Sequence, residues 1–309
     1  MNVKLKGYIL AIIAAATYGM NPLFALPLYK EGMDPDSVLF FRYLLAIPIL
    51  GIMLKARGRD FKLKRQEFKL FVLASILVSV SSLTLFSSYN YMDAGIASTL
   101  LFIYPLIVAL IMILGFKEKM TWQTKLCLLL VLLGIGLLYK GSDGAILSLT
   151  GCILVFLSAT SYASYMVLVN KSILKDIATL KITLYVLLFG FFLFLFCVDF
   201  GHSLIIPDQW CSWGNILALA IFPTVISFLF TTIAINYIGS TPTAILGALE
   251  PVTAVVIGVT IFNEILTPRL MVGIVFIILS VTFVVAANHL EAYIVRLRKL
   301  FPRLPMSKR

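Results

Sequence analysis

Charge is what this sequence has least of. Asp, Glu, Lys and Arg make up 13% of its 309 residues, where a soluble domain needs roughly a quarter to cover its surface. A hydrophobic fraction of 61% and a mean hydropathy of +1.03 leave more apolar surface than water tolerates, so the excess must face lipid. Histidine is nearly missing: His202 falls in an expected outer loop and His289 at a helix end. With no paired-acid motif, no nucleotide loop and no metal-ligand cluster, an intramembrane enzyme would lack a catalytic constellation, and no cofactor is expected. No separate soluble domain is apparent, which argues against direct ATP hydrolysis. The four cysteines, Cys127, Cys152, Cys197 and Cys211, lie in or beside apolar runs without metal-ligand spacing. They read as small packing residues, with a Cys197 to Cys211 bridge across an outer loop as the alternative.

What the sequence has is a succession of apolar runs. About 20 residues at 1.5 Å each cross the hydrocarbon, and runs of that order recur near 5–28, 35–54, 68–91, 95–116, 122–139, 147–170, 179–199, 213–238, 242–262 and 268–288. They are continuously apolar rather than alternating, which predicts helices and not a barrel. The first run follows Lys4 and Lys6 but is too long for a secretory signal and has no small-residue cleavage site, so it is kept as the first helix. Basic residues are retained on the cytoplasmic side. An N-in, C-in arrangement of ten helices places 21 of the 25 Lys and Arg there, including the cluster from Lys55 to Lys69. The net charge of +11 then sits against anionic lipid, and no nucleic-acid partner is expected. The tail after residue 289 carries Leu290, Tyr293, Ile294, Leu297 and Leu300 among Arg296, Arg298 and Lys299; it reads as a short interfacial helix or a disordered basic tail.

The chain also resembles itself. Residues 90–121 align without a gap on 236–267 at a constant offset of 146, pairing Asn90-Tyr91 with Asn236-Tyr237, Pro105 with Pro251, Glu118 with Glu264, and Thr121 with Thr267. A weaker match at offset 144 sets Gly7 on Gly151, Ala15 on Ala159 and Tyr18 on Tyr162. The expected fold is therefore an all-α polytopic membrane protein of ten transmembrane helices in two inverted five-helix repeats. Residues 1–139 form the first, 140–289 the second, and 290–309 a basic cytoplasmic tail. An odd number of helices per repeat sends the second copy through the membrane the other way, an arrangement typical of secondary transporters that hold substrate near the midplane. Duplication kept only for packing is the alternative.

Several stretches resemble the EamA family of the drug/metabolite transporter superfamily: Tyr18-Gly19-Met20-Asn21, Phe41-Arg42-Tyr43 with Leu44, Leu45 and Ala46, Leu249-Glu250-Pro251-Val252, and the turns Phe116-Lys117-Glu118-Lys119 and Phe262-Asn263-Glu264-Ile265. The resemblance implies a ten-helix secondary transporter in the plasma or inner membrane, moving amino acids, amines or similar small metabolites, often outward, by alternating access. A proton or cation is the candidate coupling partner. A facilitator channel or a lipid or metabolite scramblase is the rival reading. Tyr18 stands where the family often has tryptophan, and Asn21-Pro22 follows directly.

Two charges fall inside expected helices, each costing about 3 kcal/mol or more at mid-bilayer unless paired or hydrated. Glu250 precedes Pro251, which frees a carbonyl one turn earlier. It could bind a proton, a cation or a substrate ammonium, or it could be a structural partner of Arg42 or of a tyrosine hydroxyl. Arg42, about two turns from the outer face, reads as structural. Ser81, Thr84, Ser88 and Tyr91 form one polar stripe, and Thr224, Ser227, Thr231 and Asn236 nearly repeat it; such stripes mark a solute path or merely join helices. Tyr18, Tyr104, Tyr162, Tyr165 and Tyr185, together with Asn21, are the candidate substrate wall, and Tyr104 is the repeat equivalent of Glu250. Pro22, Pro48, Pro105, Pro223 and Pro251 interrupt five spans as possible bending points. Glu118 and Glu264 read as organising the helix starts that follow them.

Overall fold

A computed structural model describes residues 3–92, 94–117, 122–138, 148–261, 268–269, 271–280 and 283. The basic tail and the glutamate turns at Glu118 and Glu264 lie outside these residues. Every regular element among the described residues is helical. In chain order they are α1 (Val3–Tyr18), α2 (Asn21–Lys30), α3 (Pro35–Ala56), α4 (Arg65–Ser88), α5 (Ala94–Leu101), α6 (Tyr104–Phe116) and α7 (Trp122–Leu138), followed by α8 (Leu149–Lys171), α9 (Thr179–Cys197), α10 (Trp210–Leu219), α11 (Ser227–Ile238), α12 (Ser240–Leu246) and α13 (Leu249–Ile261).

Among the described residues, six helical stretches are long and apolar enough to cross a membrane: Val3–Lys30, Pro35–Ala56, Arg65–Ser88, Leu149–Lys171, Thr179–Cys197 and Trp210–Ile238. The other four expected spans are present among the described residues as shorter helical pieces, so length and composition suffice for crossing in six stretches and not in ten. Large apolar side chains such as Leu114, Trp122, Phe196 and Ile52 point outward, as a lipid-facing surface requires. The four cysteines are free; Cys197 and Cys211 form no bridge.

Local chemistry fixes where several helices begin and end. Asp34 accepts the Ser37 N–H at 3.2 Å with Pro35 in the first turn, a cap followed by a residue preset for helical φ. Ser148 caps α8 through the Gly151 N–H. Gly239, at φ +88°, ends α11 and sends the chain straight into α12.

Expected single spans turn out to be broken. The first is interrupted at Gly19-Met20, the fourth at Phe102-Ile103 and the ninth at Gly247-Ala248. The last two breaks occupy the same place in the repeat to within one residue. Each restarted helix carries a proline in its first turn, Pro22, Pro105 and Pro251, where the missing N–H is tolerated. The missing donor is felt upstream, at the carbonyl four residues earlier. The eighth span is continuous but passes through a π-helical segment, Ala220–Ile226, around Pro223. Pro48 lies within the unbroken α-helix α3, as Pro27 does within α2.

The self-similarity of the sequence reappears as matched packing. Helix α1 packs on α11, and its counterpart α8 packs on α4. A Cβ at Gly7 would stand 2.8 Å from Ile238 and 2.9 Å from Tyr237; one at Gly151 would collide with Met92 and press on Tyr91 at 3.3 Å. Tyr91-Met92 and Tyr237-Ile238 are equivalent at offset 146, so both halves use the same glycine-mediated close approach. The first helix of each half is thereby held by the third helix of the other.

Candidate functional site

The three helix breaks converge. A Cβ at Gly19 would lie 2.5 Å from the Glu250 carbonyl, and one at Gly247 would overlap the Tyr104 hydroxyl. Only glycine lets the breaks of the first, fourth and ninth spans touch. Beside this junction is a narrow cleft lined by Tyr18, Gly19, Asn21 and Pro22 at the first break, Leu101 and Phe102 at the fourth-span break, Leu85 and Tyr89 at the end of α4, Ser98 on α5, and Glu250. It has room for about one water-sized group.

Glu250 is 6% exposed, and among the described residues its carboxylate makes no hydrogen bond or ion pair. Around it stand the hydroxyls of Tyr18, Tyr89, Tyr104 and Tyr162. Asn21 is 2% exposed and neither its amide oxygen nor its amide nitrogen has a hydrogen-bond partner. A buried primary amide without partners is costly, about 1–3 kcal/mol for each unmet group, and is a pointer to a ligand. The Tyr89 hydroxyl is likewise buried and lies beside the Ser98 side chain.

The expected tyrosine wall forms from four of its five members. Tyr18 stacks on Tyr162 with centroids 6.2 Å apart and planes at 11°, Tyr104 meets Tyr162 edge-on at 5.2 Å, and Tyr165 continues the row at 6.2 Å. Tyr18 and Tyr162 are repeat equivalents, so the internal symmetry brings them face to face. The contact of Tyr162 with Tyr104 corresponds, in the other half, to the neighbourhood of Tyr18 and Glu250. Phe228 closes the wall against Tyr18 and Tyr165, and the Tyr165 hydroxyl reaches Thr232 at 3.3 Å. Tyr185 lies apart: its hydroxyl donates to the Phe61 carbonyl and its ring packs on Phe71 and Phe189, in the loop region joining α3 to α4.

Arg42 does not pair with Glu250. It is fully buried; Nε donates to Thr224 Oγ1, Nη2 donates to the Pro223 carbonyl at 3.1 Å, and the guanidinium lies 5.4 Å from the centre of the Phe86 ring. The π-helical geometry supplies these acceptors, since Pro223 breaks the regular ladder and the Thr224 hydroxyl donates to Leu219 five residues back. Arg42 thus fastens α3 to the eighth span, while its Nη1 is buried without a hydrogen-bond partner.

The hydroxyl stripes divide. Ser81 and Ser158 are 3.0 Å apart and the Ser158 hydroxyl also reaches the Ser81 carbonyl, joining α4 to α8. Thr84 and Ser88 donate to Val80 and Leu85 of their own helix, and Tyr91 is exposed. None of these four lines the cleft. Ser227 and Thr231 are buried on α11, with Thr231 beside the Tyr162 hydroxyl. Tyr89 and Ser98 were not expected at the site. Tyr89 is concealed by its place at the end of an apolar run, and Ser98 by its being one hydroxyl among many.

The sequence matches the model of the EamA-like transporter family twice, over residues 5–140 and 149–286. An uncharacterized transporter of Haemophilus influenzae is 26% identical over 167 residues, 52% of this chain and 54% of that protein, so this match spans about half the relative's length. The uncharacterized transporter YcbK of Bacillus subtilis is 23% identical over 268 residues, covering 84% of this chain and 86% of that protein. A protein of known crystal structure superposes with a TM-score of 0.75 at 17% identity, covering 94% of this chain and 98% of the other, which shows a shared fold.

Proposed function

Since this chain belongs to the EamA-like transporter family and is an integral membrane protein whose partner is a small-molecule solute, we propose that it is a secondary transporter of an amino acid, an amine or a similar metabolite, working as an exporter by alternating access of two inverted repeats. Both termini are cytoplasmic in this reading, as the distribution of basic residues favours. The observation that carries it is the meeting of three broken helices around one unpaired buried carboxylate, with walls drawn from both halves of the chain. Broken helices at equivalent positions of two repeats are how secondary carriers place a polar site at membrane depth without exposing backbone to lipid.

Glu250 is the coupling or substrate-contacting group, Asn21 and Tyr89 orient the solute, and Tyr18, Tyr104, Tyr162 and Tyr165 form the wall against which it lies. The cleft is too narrow for a metabolite as it stands, so this conformation corresponds to the closed part of the cycle. The glycine contacts at Gly19 and Gly247 are the surfaces along which the halves separate.

Counterflow in proteoliposomes tests this. Vesicles preloaded with a panel of unlabelled amino acids and amines are challenged with the labelled compound outside. A carrier gives saturable, transient accumulation of at least one member above its equilibrium level. Flux linear in concentration, with no acceleration by solute on the far side, would support a facilitator channel instead.

A further inference from the structure

Ser37 and Lys181 stand at the same place in the internal repeat. Each is the third residue of its half's second span, α3 or α9, at the offset of 144 that also relates Tyr18 to Tyr162. Each ties its helix to the loop that precedes the third span of the other half. Lys181 donates to the Lys62 carbonyl at 2.6 Å in the α3–α4 loop, and Ser37 accepts the Ile205 N–H at 2.9 Å in the α9–α10 loop. The third residue of the third span joins in both times. Glu67 of α4 pairs with Lys181 at 3.2 Å, and Ser212 of α10, its equivalent at offset 145, donates to Glu31 just past α2.

We infer that these two clasps are the inner and outer gates of one carrier, generated by the repeat at opposite ends, and that the ion pair built into the inner gate alone biases the empty protein toward opening outward. The inference rests on the alternating-access reading and its proposed orientation, and it names the residues that set the balance between the two open states.

Polarity is where the two ends differ. Aromatic packing backs both, with Tyr185 against Phe71 at the inner end and Phe41 edge-on to Trp213 at the outer. Inside, the two equivalent positions hold an ammonium and a carboxylate whose side chains are 13% and 9% exposed; outside, the same positions are Ser37 and Ser212. Tyr185, four residues after Lys181, adds a bond to the Phe61 carbonyl, and its equivalent Phe41 has no hydroxyl to offer. Among the described residues the outer clasp contains no ion pair, and its one charge, Glu31, is exposed to water that competes for it. Hydrogen bonds to ionised groups are roughly twice as strong as neutral ones, and the shielding of Lys181 and Glu67 limits the screening that weakens surface pairs. Opening inward therefore breaks a shielded ion pair and two bonds to loop carbonyls. Opening outward breaks a neutral bond to a serine and an exposed bond to a carboxylate, so the outer gate is the weaker.

The test uses the full chain in oriented vesicles, with Cys127, Cys152, Cys197 and Cys211 replaced by alanine and Ser98→Cys as a reporter in the cleft. Labelling by a membrane-impermeant thiol reagent is timed from the outer and the inner face in the absence of solute, and the ratio of the two rates is the readout. The outer rate is expected to exceed the inner. Lys181→Gln and Glu67→Gln should each raise the inner rate and lower the outer-to-inner ratio by about threefold to fivefold. Exchanging the charges, Lys181→Glu with Glu67→Lys, should return the ratio toward its starting value. Ser37→Ala should move it the opposite way, and Ser81→Ala, at the α4–α8 contact, should leave it unchanged. If Glu67→Gln fails to fold, as judged by gel filtration, Lys181→Gln and Tyr185→Phe, at partly exposed positions, carry the comparison. An inner rate above the outer at the start, a ratio that Lys181→Gln and Tyr185→Phe leave unaltered, or a charge exchange that fails to restore it overturns the inference. An unaltered ratio with solute counterflow intact rejects the gates and leaves the carrier standing. A shifted ratio without any solute exchange rejects the carrier and keeps the gates.

Discussion

Glu250 and Tyr104 occupy equivalent places in the two halves, each opening a restarted helix one residue before a proline. One presents a carboxylate to the cleft; the other turns a phenol into the space left by Gly247. That difference was legible in the sequence, because an intramembrane acid aligned on a tyrosine is conspicuous in so apolar a chain. Replacement of Glu250 by Gln keeps the shape and removes the charge, so it should reduce solute exchange to background and flatten its pH profile while expression and gel-filtration behaviour stay normal. Normal exchange with an unchanged pH profile would remove Glu250 from the mechanism. Gly247→Ala should destabilise the protein by about 1–3 kcal/mol through overpacking against Tyr104. Thermal melting of the Gly247→Ala, Tyr104→Phe double variant checks the cause, since losing the hydroxyl should restore part of that stability.

At the scale of helices, the apolar runs and the repeat were readable from hydrophobicity and spacing, but the breaks inside the runs were not. Pro22, Pro105 and Pro251 looked like bends in continuous spans. Whether a proline bends a helix or stops it depends on whether a neighbouring element fills the gap, and here Gly19 and Gly247 admit the Glu250 backbone and the Tyr104 ring, contacts between residues far apart in sequence. The serine and threonine stripes were ambiguous for a similar reason. A hydroxyl on an apolar helix can bond its own backbone, a neighbouring helix or a solute, and sequence spacing is the same for all three. Ser81 bonds Ser158 across the α4–α8 contact, so Ser81→Ala should cost about 0.6 kcal/mol in stability, the usual value for such a bond in a membrane. Solute exchange measured on the same preparation should be unchanged; a selective loss of transport without loss of stability would return Ser81 to the solute path.

Across the whole molecule, two polar clasps hold the halves together at opposite ends of α3. At one end Lys181, at the start of α9, pairs with Glu67 at 3.2 Å and donates to the Lys62 carbonyl at 2.6 Å, while Tyr185 reaches Phe61. At the other, the Ser212 hydroxyl donates to Glu31 and the Ile205 N–H donates to Ser37 at 2.9 Å. Such partly exposed polar contacts contribute little individually, about 0–1 kcal/mol each, which suits bonds that open in turn under the proposed alternating access. Tyr185 was expected in the substrate wall because it lies within an apolar run; its position in the first turns of α9, beside Phe61, places it in a clasp. A disulfide engineered between Glu67→Cys and Lys181→Cys should stop counterflow and release it on reduction. Full activity of the crosslinked protein would show that this end never opens.

The account stands on the cleft at Glu250 being reached from both sides of the membrane in turn. In a variant with Cys127, Cys152, Cys197 and Cys211 replaced by alanine, Ser98→Cys places a thiol in that cleft. Its modification by a membrane-impermeant thiol reagent, applied separately to right-side-out and inside-out vesicles, measures access directly. Alternating access predicts labelling from either face, and labelling from one face only once the Glu67–Lys181 clasp is crosslinked. Labelling from a single face in the uncrosslinked protein, or from neither, would contradict it.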